Sequence, residues 1–291
     1  MKPTDGTRRG IIGIYTDRVA LSVVEKQGEG YSIYRKQEER DFVTKEGKLN
    51  VSSLIEGILE MGELAGKICC DEILCQGYGL LRYHQGLAAL LKQKLPFPVQ
   101  EISGIQQGSI LLRQVFPKGM GDDAAGFWSG DMSTQLVWQE NHQHRIESLP
   151  LGWRLLSQEG VLIPNRIGEE RMRQQIRTVF RGRGIRIKEK KSILLAAGLE
   201  QMTEFLLWIG GSCPGEISIT KETLESVMRL MRKESLNCFP ALERASELFP
   251  QKIFCQLMIL RELMELTGAD RAKTSSVRLE DQTLEKGISR R

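Results

Sequence analysis

At 291 residues the chain is longer than one hydrophobic core usually serves, so one large or, better, two medium domains are expected. Hydrophobic residues at 41% and charged residues at 27% describe an ordinary globular chain and exclude a disordered or membrane-embedded majority. A net charge of +4 is too slight to point by itself to nucleic acid or to a membrane surface.

The opening "MKPTDGTRRG" has no apolar signal segment before its first β-rich run, which predicts a cytoplasmic protein. "GIIGIYTDRVALSVVEKQGEGYSIYRKQ" is broken at Thr16-Asp17 and at Gly28-Glu29-Gly30, the pattern of a three-strand meander. In "NVSSLIEGILEMGELAGKI" the apolar residues Val51, Leu54, Ile55, Ile58, Leu59, Met61, Leu64 and Ile68 share one helical face, and Ser53 with Glu56 has capping-box spacing. A strand "DEILCQG", a helix "GLAALLKQKL", a strand "FPVQEIS" and a helix "QGSILLRQVF" follow; this alternation predicts a largely parallel sheet.

The pattern then restarts. "AAGFWSG", "STQLVWQ" and "HRIESLP" read as a second meander, followed by helical segments from Gly152 to Arg181. A strand "SILLAAG", a helix "EQMTEFLLWIGG" and a helical tail follow, with Gly268 stopping "KIFCQLMILRELMELT". The expected organisation is a domain over 1–122 and a helix-rich domain over 123–291, duplicated in architecture, with a ligand cleft between them and the last residues packing back on the first domain.

Cysteines 69, 70, 75, 213, 238 and 255 lack metal-ligand spacing and read as buried thiols of a reducing compartment. His142 and His144 read as alternating outward positions of one strand, and no metal site is expected from the cysteines and histidines. Residues 166–191 hold ten Lys or Arg against three Glu. Such a stripe suits a polyanion, but Met172, Ile176 and Phe180 at four-residue spacing favour a solvated face of an amphipathic helix.

Several strings, in order, resemble the Ppx/GppA family, the exopolyphosphatases and guanosine pentaphosphate phosphohydrolases of the actin-like ATPase superfamily. "WSGDMSTQL" at 128–136 lies over that family's Asp-Ile-Gly-Gly-Gly-Ser-Thr-Glu-Leu, and "SLPLGWRL" at 148–155 is close to its Ser-Leu-Pro-Leu-Gly-Ala-Val-Arg-Leu. "GIYTDR" at 13–18 lies over its first hairpin, "YGLLRY" at 78–83 over Thr-Ser-Ala-Leu-Arg, and "EISGIQQGSILL" at 101–112 over Ile-Ser-Gly-Glu-Glu-Glu-Ala-Arg-Leu. "AAGLE", "ALERASELFPQ" and "TLEKGI" match later strings more loosely. The resemblance implies an α/β fold of two actin-like ATPase (ribonuclease H-like) domains with an interdomain cleft. It also implies phosphate contacts from Thr16, Arg82, Gly130, Ser133, Thr134 and Gln135, although turn chemistry is the simpler account of Thr16, Ser133 and Thr134.

The departures fall on the chemistry. The family's general base lies among Glu residues where this chain has Ile105, Gln106 and Gln107, and an amide cannot accept the proton. Loss of such a base lowers a rate by roughly 10²- to 10⁴-fold. Its two metal-binding Asp residues correspond to Gly13 and Trp128, and its hairpin Glu to Gln135. Tyr15, Asp131 and Met132 stand at Gly positions, only Gly198 is left of a second phosphate loop, and a late Arg-Glu pair becomes Glu285 and Lys286. Trp128 and Trp153 read as core aromatics.

Two readings follow. One is a catalytically impaired homologue that binds phosphate, polyphosphate or a phosphorylated nucleotide as a binding or regulatory protein without a cofactor. The other is an active phosphohydrolase using Mg²⁺ and relocated carboxylates such as Asp17 or Asp131, with Gln107 placing the water. A polyanion at 166–191 and a homodimer are partners the sequence leaves open; a membrane is not expected.

Overall fold

The computed structural model describes residues 8–15, 18–27, 30–39, 42, 48–115, 123–157, 166–185, 187, 190–195, 218–233 and 249–274. They form two compact units that meet in sequence between Ser103 and Gly104.

In the first unit β1 (Arg8–Ile14), β2 (Arg18–Gln27) and β3 (Gly30–Glu39) form the antiparallel meander. After α1 (Val51–Lys67) come β4 (Glu72–Gly77), α2 (Gly79–Tyr83), α3 (Leu87–Lys94) and β5 (Val99–Glu101). The sheet order is β3-β2-β1-β4-β5, with β4 parallel to β1 and β5 parallel to β4. β1 is central and buried on both faces, which is why "GIIGI" carries no polar residue to alternate with. Ile12 and Ile14 join the core built with α1, and Ile11 meets Val24 in a separate small cluster. Leu54, Ile58 and Met61 are the buried face of α1; such side chains contribute about 1.5–3 kcal/mol each on burial. Leu59, read on that face, is exposed.

The start of α1 differs from the expected capping box. Asn50 is the cap, its Oδ1 accepting from the Ser53 N–H at 3.1 Å. Ser53 therefore lies inside the first turn, three residues after the true cap. The helix ends at Ile68, and Cys69 follows in the left-handed region at φ 59°. Cys69 N–H donates to Gly66 O at 2.9 Å and Cys70 N–H to Ala65 O at 3.0 Å, the two bonds of a Schellman motif. Cys69 is consequently exposed, against the expectation of buried thiols; Cys75 and Cys255 are buried, and burial pushes both thiols up to about 12.

The second unit opens with α4 (Gly104–Val115) and the meander β6 (Ala124–Ser129), β7 (Thr134–Glu140) and β8 (Gln143–Leu149). Then come α5 (Trp153–Leu156), α6 (Arg166–Gly182), β9 (Ser192–Leu195), β10 (Ser218–Thr220), α7 (Lys221–Lys233), α8 (Phe249–Thr267) and β11 (Arg271–Thr274). Its sheet order is β10-β11-β9-β6-β7-β8. Taken from β8, the run β8-β7-β6-β9-β11 repeats the first sheet, and β10 adds an antiparallel edge. The duplication read from the sequence is therefore a duplication of topology.

α4 packs on β6, β7 and β8 through Ile110 and Leu111 against Trp128 and Val137. This places the helix with the second sheet, so the second unit begins near residue 104 rather than near 122. On the opposite face Phe127, Leu136 and Ile193 pack with Met172, Ile176 and Phe180 of α6 and with α7 and α8. α8 is buried around most of its circumference, which explains its nearly continuous apolar sequence. Gly268 ends it at φ 73°. Asn141 and His142 both have positive φ and form the two-residue β7–β8 turn, so His142 is a turn residue and only His144 lies in the strand. Among the described residues no helix is long and apolar enough to cross a membrane.

Thr16, Asp17, Cys213, Cys238, Gly198, the helix read at 200–211, the strings at 241–248 and 283–288, and the last residues lie outside the described residues.

Candidate functional site

β6 and β7 pair so that Trp128 stands opposite Gln135 and Ser129 opposite Thr134. Alternation along each strand turns Trp128 and Gln135 toward α4, and Ser129 and Thr134 toward the other face. On the α4 side, Gln135 Nε2 lies 3.3 Å from Gln107 Oε1, 3.2 Å from Ser133 Oγ and 3.1 Å from Ser148 Oγ. An amide nitrogen has two hydrogens, so it serves two of these acceptors at a time. Both glutamines are 0% exposed. Gln135 Oε1 and Trp128 Nε1 are buried without a hydrogen-bond partner among the described residues. The first of the paired glutamines, Gln106, is exposed on α4. Both amides are thus buried together, and neither can take a proton from water.

The β6–β7 turn is closed just as firmly. Gly130 N–H donates to Ser133 O at 2.9 Å, Trp153 N–H to Gly130 O at 3.3 Å and Arg154 N–H to Asp131 O at 2.9 Å. Thr134 Oγ1 donates to Leu151 O at 2.5 Å. The Trp128 ring lies over Gly130, 2.7 Å from where a Cβ would stand, and Gly152 backs onto Asp131 O at 2.2 Å by the same measure. Thr134 and Ser133 are buried, and the Gly130 N–H and the Thr134 hydroxyl point into the protein's own structure. A phosphate cradle needs such donors aimed outward.

Asp131 is tied down as well. Its Oδ1 accepts from Trp153 Nε1 at 2.6 Å, and its Oδ2 lies 3.8 Å from Arg154 Nε. The Arg154 guanidinium stacks on the Trp153 ring at 4.4 Å.

The first unit shows a parallel change. The Tyr15 ring lies across Gly13, 2.9 Å from a Cβ position. Tyr15 stacks on Tyr78 with centroids 4.9 Å apart, and the Arg18 guanidinium sits 4.3 Å from the Tyr15 centroid. Below, Tyr78 Oη donates to Gln76 Oε1 at 3.4 Å. Aromatic bulk thus covers the glycine of this hairpin too. Arg82 lies on α2, where burial lowers the pKa of its guanidinium.

The residues at the resemblance's metal positions do not fit a divalent ion. Gly13 offers no side chain, Trp128 an indole, and Gln135 an amide whose nitrogen faces Gln107, Ser133 and Ser148. Hard cations require several oxygen ligands, carboxylates above all. Among the described residues no three His, Cys, Asp or Glu side chains converge in a way that would hold a metal. The basic segment is likewise partly committed. Arg173 and Arg177 bond Glu262, whose side chain is 1% exposed, and buried Lys190 donates to Gln139 O. Arg166, Arg171, Arg181 and Arg183 are exposed.

The sequence brought Gly130, Ser133, Thr134, Gln135 and Gln107 to attention, and the fold gathers all five in the second unit. Trp128 and Trp153 are buried, as read. The reading missed the Asp131–Trp153–Arg154 group and Ser148. The string "SLPLGWRL" contained three of those four residues, but periodicity cannot show that the chain doubles back on the turn.

No protein-family model matches the chain, and no curated protein sequence matches it. Solved structures do. An exopolyphosphatase from Cytophaga hutchinsonii superposes with a TM-score of 0.79 at 12% identity, covering 97% of this chain and 98% of that one. The Aquifex aeolicus member of the Ppx/GppA family gives 0.71 at 16% identity, covering 98% of each chain. An exopolyphosphatase-like protein gives 0.71 at 13% identity with the same coverage. The chain therefore has the fold of these proteins over nearly its whole length, the fold that the resemblance in its motifs implied.

Proposed function

We propose that this chain is a divergent Ppx/GppA homologue that has lost efficient phosphoanhydride hydrolysis and acts as a binding or regulatory protein for phosphate chains or phosphorylated nucleotides. The observation that carries this reading is the buried Gln107–Gln135 pair, at 3.3 Å, where the resembling family has carboxylates. Phosphoryl transfer to water needs a group that orients or deprotonates the nucleophile and cations that offset charge on the moving phosphoryl. Two neutral amides supply neither. The fold, the "SLPLG" string and the kept Gly130-x-x-Ser133-Thr134 spacing support descent from a phosphate-handling protein. The cytoplasm fits its thiols.

An active enzyme with relocated carboxylates draws little support. Asp131, the candidate among the described residues, accepts the Trp153 indole N–H at 2.6 Å and faces Arg154, which suits a structural anion better than a base.

The test is phosphate release from long-chain polyphosphate and from pppGpp, with and without Mg²⁺, beside an intact relative. Release at least about a hundredfold slower than the relative is expected, from loss of the base alone. Release within tenfold of the relative refutes impairment. Calorimetric titration with tripolyphosphate tests the binding half of the proposal and is expected to show saturable heat.

A further inference from the structure

Two of the three guanidinium nitrogens of Arg154 have no hydrogen-bond acceptor among the described residues. Its side chain is 13% exposed, and its Nε and Nη2 atoms are inaccessible with no hydrogen-bond partner among the described residues. The group is nevertheless held in place. The Trp153 ring lies beneath it at 4.4 Å, and the Arg154 backbone N–H is anchored to Asp131 O at 2.9 Å. Asp131 Oδ2 stands 3.8 Å from Nε, beyond hydrogen-bond length, while Oδ1 takes the indole N–H at 2.6 Å. A guanidinium stays charged, carries five N–H donors in a planar fork and matches the paired oxygens of phosphate. One that is stacked, anchored and short of acceptors is preorganised for an oxyanion.

We propose that Arg154 is the oxyanion-receiving residue of the second unit for phosphate-class ligands, and that the Asp131 carboxylate is a built-in competitor that holds its affinity down. This rests on the phosphate-binding reading above and goes further by naming the residue and what opposes it. Asp131 stands where the resembling family has glycine, within the turn that runs from Gly130 to Ser133. Its charge already lies on one side of the guanidinium, so an arriving phosphate meets a partly neutralised cation and a repelling anion.

The test is calorimetric titration of the full chain with pyrophosphate and tripolyphosphate, using wild type, Asp131→Asn, Arg154→Gln, Arg154→Lys and the Asp131→Asn/Arg154→Gln double variant. Asparagine keeps an oxygen for the indole N–H and removes the charge. Asp131→Asn is expected to tighten pyrophosphate binding about tenfold or more at low salt. The gain should shrink as salt is raised. Arg154→Gln should lose binding in both backgrounds, whereas Arg154→Lys, keeping the charge without the fork, should retain part of it. Trp153 emission should change with pyrophosphate in every variant that binds, a response that a merely structural Arg154 would not give. If Arg154→Gln and Arg154→Lys bind pyrophosphate as wild type does, or Asp131→Asn binds no tighter, the assignment is overturned while phosphate binding stands. If neither wild type nor Asp131→Asn binds either anion, both the assignment and the binding reading fail.

Discussion

The turn between β6 and β7 depends on one hydrogen atom in place of a methyl group. A Cβ on Gly152 would stand 2.2 Å from Asp131 O and 2.5 Å from Met132 N, both backbone atoms that cannot rotate away. The strand-to-helix step at Gly152 and the turn at 130–133 must therefore part if anything larger is placed there. Gly152→Ala should destabilise the second unit by more than about 3 kcal/mol, read as a lower urea midpoint in tryptophan emission. Gly182→Ala, in the same unit at the end of α6, is the control, since nothing lies within 4 Å of its Cβ position. An equal loss in both variants would show that close approach at Gly152 is not the cause. The same backbone contact fixes Asp131 beside Trp153 and Arg154, so residue-scale packing sets the electrostatics of the candidate site.

At the scale of elements, the end of α1 carries a misfit between residue and conformation. Its Schellman motif needs a left-handed residue after the cap, a place that glycine fills without steric penalty, and Cys69 stands there at φ 59°. Cys69→Gly is expected to raise stability by about 0.5–1 kcal/mol, because relief of the left-handed strain exceeds glycine's extra entropy in the unfolded chain. Guanidinium unfolding followed by circular dichroism measures it, and an unchanged or lowered midpoint would contradict the strain. The motif was hidden in the sequence for the same reason: helix-end signals are read from glycine, and here a cysteine does the work. The start of α1 was misread in a related way, since Ser53 and Glu56 match a capping-box spacing while Asn50 forms the bond. Element order and type were legible because apolar periods of 2 and 3.6 are set by burial. Cap identity is set by one side-chain rotamer, which periodicity does not encode.

For the molecule as a whole, the repeated meander was visible as a restart of alternating runs near residue 124, and the two sheets share the order 3-2-1-4-5 once the added edge strand β10 is left out of the count. The boundary was less legible, because α4 follows β5 in the chain but packs on β6 to β8, and sequence adjacency favoured the wrong sheet. The departures from the resembling family's motifs were readable as substitutions, but the amide pair, the aromatic stack and the Asp131–Trp153 bond in which these residues take part required three-dimensional contacts. Each unit has its own core cluster: Leu54 belongs to one and Ile176 to the other, and both side chains are fully buried. Trp128, Trp138 and Trp153, the tryptophans among the described residues, all lie in the second unit, so their emission reports that unit while far-ultraviolet circular dichroism reports both. Truncating a buried Leu or Ile to Ala costs about 2–5 kcal/mol. Chains with more than one core commonly depart from a single two-state transition. Leu54→Ala should therefore lower the urea midpoint of part of the dichroism change and leave the emission curve in place. Ile176→Ala should move the emission curve. If Leu54→Ala shifts both signals equally, the two cores melt as one cooperative block, and independent stability of the two units is ruled out.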